Sequence, residues 1–451
     1  MAKPRVEWRC QQCGHAAPKW FGRCPECGEY GTFAEHSLDV GAVSSGGSRA
    51  AARVPIALDR VTASAAQRTP TGVAELDRVL GGGLVLGSLV LLAGEPGIGK
   101  STLLLQAAAS LGALGTSVLY VCGEESAEQV KLRADRLGAG GGISLLPETD
   151  IAVVQSTALV EQPGLLIIDS IQAMVDQGLP GVPGSVGQVR ACTQRLMDVA
   201  KRSGITTLVV GHVTKDGAIA GPRVLEHMVD TVLSFEGDHD HALRIVRAVK
   251  NRFGAVSEIG IFEMAEEGLR GAAQPSGVLL STRDRSVAGS CVMAAVEGSR
   301  PLLVEVQALV TPSYLQMPRR LATGVDTARV LQVLAVLERR AGISFGQHDV
   351  YVSVAGGVRI SEPGIDLPLA LALASARSDR PVAADAVAFG ELGLTGEIRG
   401  VPRSAQRLAE ADRLGFGTAY LASGNVDVPV GMDARRRQRV ADVLSDAEVM
   451  G

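Results

Sequence analysis

The chain has 451 residues, with 44 Lys plus Arg against 48 Asp plus Glu and a formal net charge of −4. Hydrophobic residues make up 46% and charged residues 20%, which excludes wholesale disorder; the acidic balance excludes a globally basic nucleic-acid coat but not a local basic channel. Only seven of the cations are lysines, at positions 3, 19, 100, 131, 201, 215 and 250, and none follows Lys250. The length suggests two to four domains at ~100–200 residues each. No apolar run reaches the ~18–20 residues that cross a bilayer. The Met-Ala-Lys-Pro start meets a cysteine pair without a signal-peptide core, so a soluble, cytoplasmic protein without membrane attachment is expected.

Residues 1–35 form a cysteine block. Cys10-x2-Cys13 and Cys24-x2-Cys27 stand ten residues apart, and a glycine follows each pair (Gly14, Gly28). Two such knuckles supply four thiolates to one closed tetrahedral site, which predicts a structural Zn²⁺ and not a catalytic one. Between them, Trp20 and Phe21 are expected to pack the small core. A small-residue linker over 36–55 follows, with no periodic apolar face.

From 56 to 272, short apolar β-branched runs alternate with helical patterns. The predicted strands are Ser88–Ala93, Ser117–Val121, Leu165–Ile168, Thr206–Val210, Thr231–Phe235 and Leu243–Val249; the predicted helices include Lys100–Leu111, Ala127–Leu137 and Ser185–Arg202. Such alternation predicts an α/β domain with a mainly parallel sheet. Gly94-Glu95-Pro96-Gly97-Ile98-Gly99-Lys100-Ser101-Thr102 matches GxxxxGK[ST], with a strand before it and a helix after it. Backbone N–H groups of such a loop wrap ATP phosphates, Lys100 brings a point charge to the β- and γ-phosphates, and Ser101 ligates Mg²⁺. Asp169 ends the apolar run Leu165–Ile168, where it could hold a Mg²⁺-bound water. One of Glu124 and Glu125 is expected to orient the attacking water. Glu124 is favoured because it leaves the strand first, and Glu125 could simply open the next helix. His212, at the end of another strand, is either a γ-phosphate sensor or a structural histidine.

These residues together, with Lys250-Asn251-Arg252-Phe253-Gly254, resemble the RadA (Sms) family of bacterial DNA-repair proteins along nearly the whole chain. The pentapeptide is the most specific element of the resemblance. It implies a RecA-like, DNA-dependent ATPase in homologous recombination, assembled as a homo-oligomeric, hexameric ring. Such a ring promotes branch migration on single-stranded and branched DNA beside a RecA-type recombinase. Lys250 through Gly254 would couple ATP to DNA, with Lys250 reaching either a neighbouring subunit's γ-phosphate or a DNA phosphate. Gly178–Gly187 and Thr214–Arg223 sit where RecA-like proteins carry DNA-facing loops, with Lys215 and Arg223 as phosphate contacts. An ATP-regulated switch or autokinase that binds protein partners is the alternative.

Residues 273–451 read as α+β and resemble the proteolytic domain of Lon, an S5-like fold. Strand-like runs appear at Gly277–Ser281, Ala288–Val296 and Leu302–Val310, and helical patterns at Asp326–Ala341, Ile365–Ala376 and Arg403–Leu414. That family uses a Ser–Lys dyad. Here the serine position falls on Gly364 and the lysine position on Ala405. With no lysine after Lys250, no such dyad is possible in this block, so an oligomerisation and DNA-binding scaffold is expected. Arg319, Arg320, Arg359 and Arg435–Arg437 are its candidate phosphate contacts.

Overall fold

The computed structural model describes residues 6–37, 68–212, 224–237, 243–280 and 287–450. Residues 38–55 of the expected linker lie outside these, as do Lys215 and Arg223. The chain forms two compact units: Met1–Glu236 with Val246–Val256 and Ala265–Leu269, and Gly237–Ile245 with Ser257–Met264 and Arg270–Gly451. Among the described residues, no helix is long and apolar enough to cross a membrane.

The first unit starts with a three-stranded antiparallel sheet. β1 (Val6–Cys10) pairs with β2 (Ala16–Ala17) on one side and β3 (Phe33–Ser37) on the other. Its core is small: Cys10, Ala17, Cys24 and Phe33 are buried, and Trp8 and Phe21 pack against them. Trp20 departs from expectation. It is 52% exposed, and Trp8 takes the place beside Phe21.

The larger part of this unit is α/β. After β4 (Arg68–Thr69), α1 (Ala74–Leu80) and β5 (Leu84–Val85) come the main elements. These are β6 (Leu89–Gly94), α2 (Lys100–Ala113), β7 (Val118–Cys122), α3 (Ala127–Arg136), β8 (Ile143–Leu146), α4 (Ile151–Glu161), β9 (Leu165–Asp169), α5 (Val186–Ser203), β10 (Thr206–His212), α6 (Val224–Met228), β11 (Thr231–Glu236) and β12 (Leu243–Asn251). Six strands form a parallel array in the order β11-β6-β10-β9-β7-β8, with β12 beyond β11. Every residue of β6 and β7 is buried, as expected when helices cover both faces of a parallel sheet. Ser126 caps α3 in a reciprocal box with Gln129, which fixes where the chain leaving β7 turns into helix.

Strands β13 (Ile259–Ala265) and β14 (Gly268–Gly271), each divided between the two units, precede α7 (Pro275–Leu280) of the second. Here residues 277–280 of the expected strand Gly277–Ser281 are corrected to a helix, and Ser281 lies outside the described residues. Pro275 suits a first helical turn, and the Gln274 carbonyl accepts from the Gly277 and Val278 amides. The rest comprises β15 (Ser290–Glu297), β16 (Arg300–Pro312), β17 (Arg320–Thr323), α8 (Thr327–Val336), β18 (His348–Val354), α9 (Asp366–Ser378), β19 (Ala386–Phe389), the short pair β20 (Glu391–Leu392) and β21 (Ile398–Arg399), α10 (Ser404–Arg413), β22 (Thr418–Ala422), β23 (Asp433–Arg437) and α11 (Val440–Asp446). A mixed sheet runs β17-β18-β16-β15-β19-β22-β23. Helix α9 is buried on every side from Asp366 to Ser375, which its unbroken Leu-Ala alternation allows, so it is the spine of this unit's core.

Candidate functional site

The carboxyl ends of β6, β10, β9 and β7 share one edge. Gly94 lies opposite His212 and Phe235 in register, and Cys122 lies opposite Asp169. The phosphate-loop motif follows β6 directly. Gly97 (φ +76°) and Gly99 (φ +115°) take backbone angles that side chains disfavour, and these angles shape the loop. Ile98 is buried and anchors the loop, while Glu95, Pro96 and Gly97 are exposed. Helix α2 starts at Lys100 with no side-chain cap, leaving its first N–H groups facing the loop, and Ser101 and Thr102 are half-buried there.

Lys100 is only 4% exposed, and its Nζ donates to the carbonyls of Gly94 (2.8 Å) and Glu95 (2.7 Å). Burial pulls its ammonium down to about 8, against the attraction of Asp169, Glu124 and Glu95. Asp169 accepts a 2.5 Å hydrogen bond from the phenol of Tyr120 on Oδ2. Tyr120 is 1% exposed on the neighbouring strand, and burial followed by the Asp169 charge drives its hydroxyl well above the ordinary range. The phenol therefore stays protonated as a donor and fixes one carboxylate oxygen of Asp169.

The two glutamates after β7 separate cleanly. Glu124 accepts from the Ser170 hydroxyl and lies 3.2 and 3.4 Å, through its two oxygens, from His212 Nε2. Its carboxyl is held below the usual range by the His212 hydrogen bond first, then Ser170 and the Lys100 charge, against the opposing effect of burial. Glu125 pairs with Arg133 of α3 instead. Glu124, Asp169, Lys100 and His212 thus form one cluster, and Glu125 precedes α3 and is tied to it through Arg133. Tyr120 and Ser170 are members of the cluster that the motifs do not reveal. Nothing but their strand positions relative to Asp169 marks them.

The pentapeptide is at the opposite edge. Arg252 N donates to the Asp230 carbonyl (3.1 Å) and Asp230 N to the Leu89 carbonyl (3.0 Å), at the residue where β6 begins. The buried Asp230 carboxylate accepts from Leu89 N (2.9 Å), Lys201 (2.6 Å) and Arg252 (3.4 Å). Lys250 Nζ donates to the carbonyls of Glu226 (2.6 Å) and Val229 (2.7 Å) at the end of α6. Burial and then Arg252 hold this ammonium below its ordinary range. Asn251 accepts from Phe253 N (3.0 Å), the Phe253 carbonyl accepts from Arg68 (2.5 Å), and Gly254 lies against Asn251 and Arg68. The length of β6, about 17 Å for six residues, separates this edge from the phosphate loop of the same chain.

In the ribbon, the Sγ atoms of Cys10, Cys13, Cys24 and Cys27 lie within 4.8 Å of one another, with Cys10–Cys27 at 3.7 Å and Cys13–Cys24 at 3.5 Å. A tetrahedron with ~2.3 Å Zn–S bonds has edges of about 3.8 Å, so these donors fit zinc. Gly14 and Gly28 adopt φ +76° and +78° and donate back to the Cys10 and Cys24 carbonyls, closing each knuckle.

In the second unit, the neighbourhood of Gly364 and Ala405 holds a buried ion pair. Arg407, 2% exposed, meets Glu362 through both nitrogens (2.9 and 2.5 Å), donates to the carbonyls of Ala294 (2.6 Å) and Pro402 (3.1 Å), and lies over the Phe389 ring. The candidate phosphate contacts are partly engaged within the chain. Arg320 donates to the Phe345 and His348 carbonyls, Arg435 pairs with Asp433, and Arg437 pairs with Asp446.

Comparison with known proteins adds three family matches: "AAA domain" over residues 55–218, "Rubredoxin metal binding domain" over 8–35, and "Subunit ChlI of Mg-chelatase" over 321–425. The DNA repair protein RadA of Bacillus subtilis (strain 168) is 47% identical over 455 residues, covering 98% of this chain and 99% of that protein. That of Brucella abortus (strain 2308) is 47% identical over 435 residues, covering 94% and 93%. Among solved structures, a KaiC-like protein from Pyrococcus horikoshii OT3 matches with 20% identity and a TM-score of 0.39, covering 46% of this chain and 99% of that one.

Proposed function

The chain belongs to the RadA family of DNA repair proteins, and from that premise we propose that it is a DNA-dependent ATPase working as a homo-oligomeric ring, hexameric by resemblance, that drives branch migration of recombination intermediates. That it is an ATP-hydrolysing enzyme of DNA repair follows from the family itself. In the proposed division of the chain, 1–35 is the ribbon holding Zn²⁺, 36–55 the linker, 56–272 the motor and 273–451 the Lon-like scaffold. ATP-bound Mg²⁺, where present, supplies charge stabilisation at the transferred phosphoryl group. Lys100 would leave the loop carbonyls for the phosphates, and Ser101 and Asp169, the latter steadied by Tyr120, would hold the metal. Glu124 accepts the proton of the attacking water.

One observation carries the DNA dependence: the contact of His212 with Glu124. The hydrogen bond that lowers the Glu124 pKa also weakens it as a base. His212 is the last residue before the segment that carries Lys215 and Arg223. DNA drawn to that segment would move His212, free Glu124 and raise its basicity. Turnover would then depend on DNA. The place of Lys250 supports a ring, because about 17 Å of strand lies between it and its own phosphate loop. On this reading Lys250 would leave the Glu226 and Val229 carbonyls for a neighbour's nucleotide or a DNA phosphate.

Two expected results test this. Single-stranded DNA raises the steady-state ATPase rate by about tenfold or more. Lys250→Ala still assembles, as judged by light scattering, but no longer extends branched junctions in a strand-exchange assay. Normal junction extension by that variant would remove the coupling role from the pentapeptide, and DNA-indifferent turnover would favour a protein-binding switch. Tyr120→Phe keeps the packing and loses one hydrogen bond, worth about 1.5–3 kcal/mol when the acceptor is charged. It should raise the Mg²⁺ concentration needed for half-maximal turnover by about tenfold at unchanged melting temperature. An unchanged Mg²⁺ requirement would reduce Tyr120 to a packing residue.

A further inference from the structure

We infer that the cleft between the first cysteine knuckle and helix α5 seats the sugar–phosphate backbone of a single DNA strand, an assignment that rests on the DNA-dependent reading above. The cleft has a volume of about 910 Å³ and lies between residues 9–14 of the ribbon and residues 179–194. It opens onto Leu179–Ser185, the glycine-rich stretch expected to face DNA, so a strand following that loop passes into it.

The sequence of α5 builds its floor. Val189, Cys192, Thr193, Leu196, Val199 and Ala200 are buried against the sheet. Gly187, Arg190, Ala191 and Gln194, spaced i, i+3, i+4, i+7, form the stripe turned to the cleft. Gly187 and Ala191 keep the floor low. A Cβ on Gly187 would stand 4.0 Å from the Cys13 carbonyl carbon, so a longer side chain there would fill the gap.

The lining chemistry selects the occupant. Beside the Cys10 and Cys13 sulfurs of the ribbon and an apolar wall at Leu179 and Val182, it holds two guanidiniums (Arg9, Arg190) and glutamine amides, and no carboxylate lines it. The guanidiniums and amides are the partners it offers to an anionic backbone. It has no aromatic ring for bases to stack on and none of the aromatic anchors that dominate protein interfaces. Recognition therefore falls on the phosphodiester backbone and is independent of sequence.

The test uses the full-length protein and a fluorescein-labelled oligo-dT, with binding followed by anisotropy from 50 to 300 mM salt, a range of about sixfold. Arg190 and Gln194 are exposed on α5, so Arg190→Glu and Gln194→Glu leave the core intact, which thermal unfolding checks. Arg190→Glu is expected to weaken binding about tenfold at low salt and to reduce the slope of log K against log salt by about one. A photoreactive benzoylphenylalanine at Gln12 is expected to form an adduct with the oligonucleotide. Wild-type affinity and slope in Arg190→Glu, with no DNA adduct from position 12, would overturn the assignment. An adduct to a protein in place of DNA would also overturn it, marking a protein-docking cleft. If the unaltered protein fails to bind oligo-dT at all, the DNA-dependent reading itself falls.

Discussion

Glu124→Gln is expected to lower ATP turnover by two to four orders of magnitude while nucleotide binding survives, the range for losing a general base. Glutamine retains the hydrogen-bonding shape between His212 and Ser170 but cannot accept the water's proton. Lys100→Ala removes turnover by about 100-fold or more and weakens nucleotide binding as well, because its charge acts on bound phosphates and on the developing transition state alike. Glu125→Gln is the contrast. It breaks only a part-exposed pair with Arg133, so turnover stays within about threefold of the unaltered enzyme. Single-turnover kinetics with a fluorescent ATP analogue separates these outcomes. If Glu125→Gln is the crippled variant, the roles of the two glutamates are exchanged.

Lys100 also gives nucleotide binding a pH signature. Burial brings its ammonium down to about 8. Bound phosphates favour the charged form and raise that value. Below pH 8 the lysine is already charged, and binding takes up no proton. Above it, each pH unit costs about 1.4 kcal/mol, so affinity falls and a proton is taken up. Calorimetry at pH 8.5–9 in buffers of different ionisation enthalpy reads this uptake directly, and Lys100→Ala abolishes it.

Arg407→Ala is expected to destabilise the second unit by about 3–5 kcal/mol, since it leaves the Glu362 carboxylate in a largely buried site without its cation. For a unit of this size that corresponds to a fall of roughly 10 °C in the melting transition. The Val296 amide, which also donates to Glu362, cannot replace a bidentate guanidinium. The double variant Glu362→Gln with Arg407→Met removes both charges and keeps most of the volume, and it should recover more than half of the loss. Scanning calorimetry is the suitable measurement, because both tryptophans lie in the ribbon. A shift under about 2 °C for Arg407→Ala would show that the pair does not hold this core together.

The phosphate loop and the cysteine knuckles could be read from the sequence because each is a contiguous motif whose geometry is set by its own glycines. The buried strands could be read because a parallel sheet covered on both faces demands near-continuous apolar runs. The order of residues leaving β7 favours Glu124 over Glu125, but the contacts that part the two, with His212 88 residues away and with Arg133 on the following helix, are not legible there. The Tyr120–Asp169 bond joins residues 49 apart, whose only link in the sequence is that both lie on strands. Gly277–Ser281 misleads for a different reason. A run as short as Val278-Leu279-Leu280 fits either a strand or a buried helical turn, and Pro275 favours the turn. In the Lon-like block, Gly364 lies beside the Glu362–Arg407 pair. What fills its neighbourhood depends on how far the Arg407 side chain reaches, and spacing does not encode that.

Asp230 carries a mechanical consequence. Its carboxylate clamps Arg252 and the first amide of β6 at one end of a strand whose other end is the phosphate loop. A hydrogen-bonded extended strand is stiff along its length, so a displacement at Arg252 would be passed to Gly94 as through a strut. If the pentapeptide touches a neighbour's nucleotide, each subunit senses one ATP at the amino edge of its sheet and holds another at the carboxyl edge. The order of firing around a ring would then be set by the direction in which the strands run.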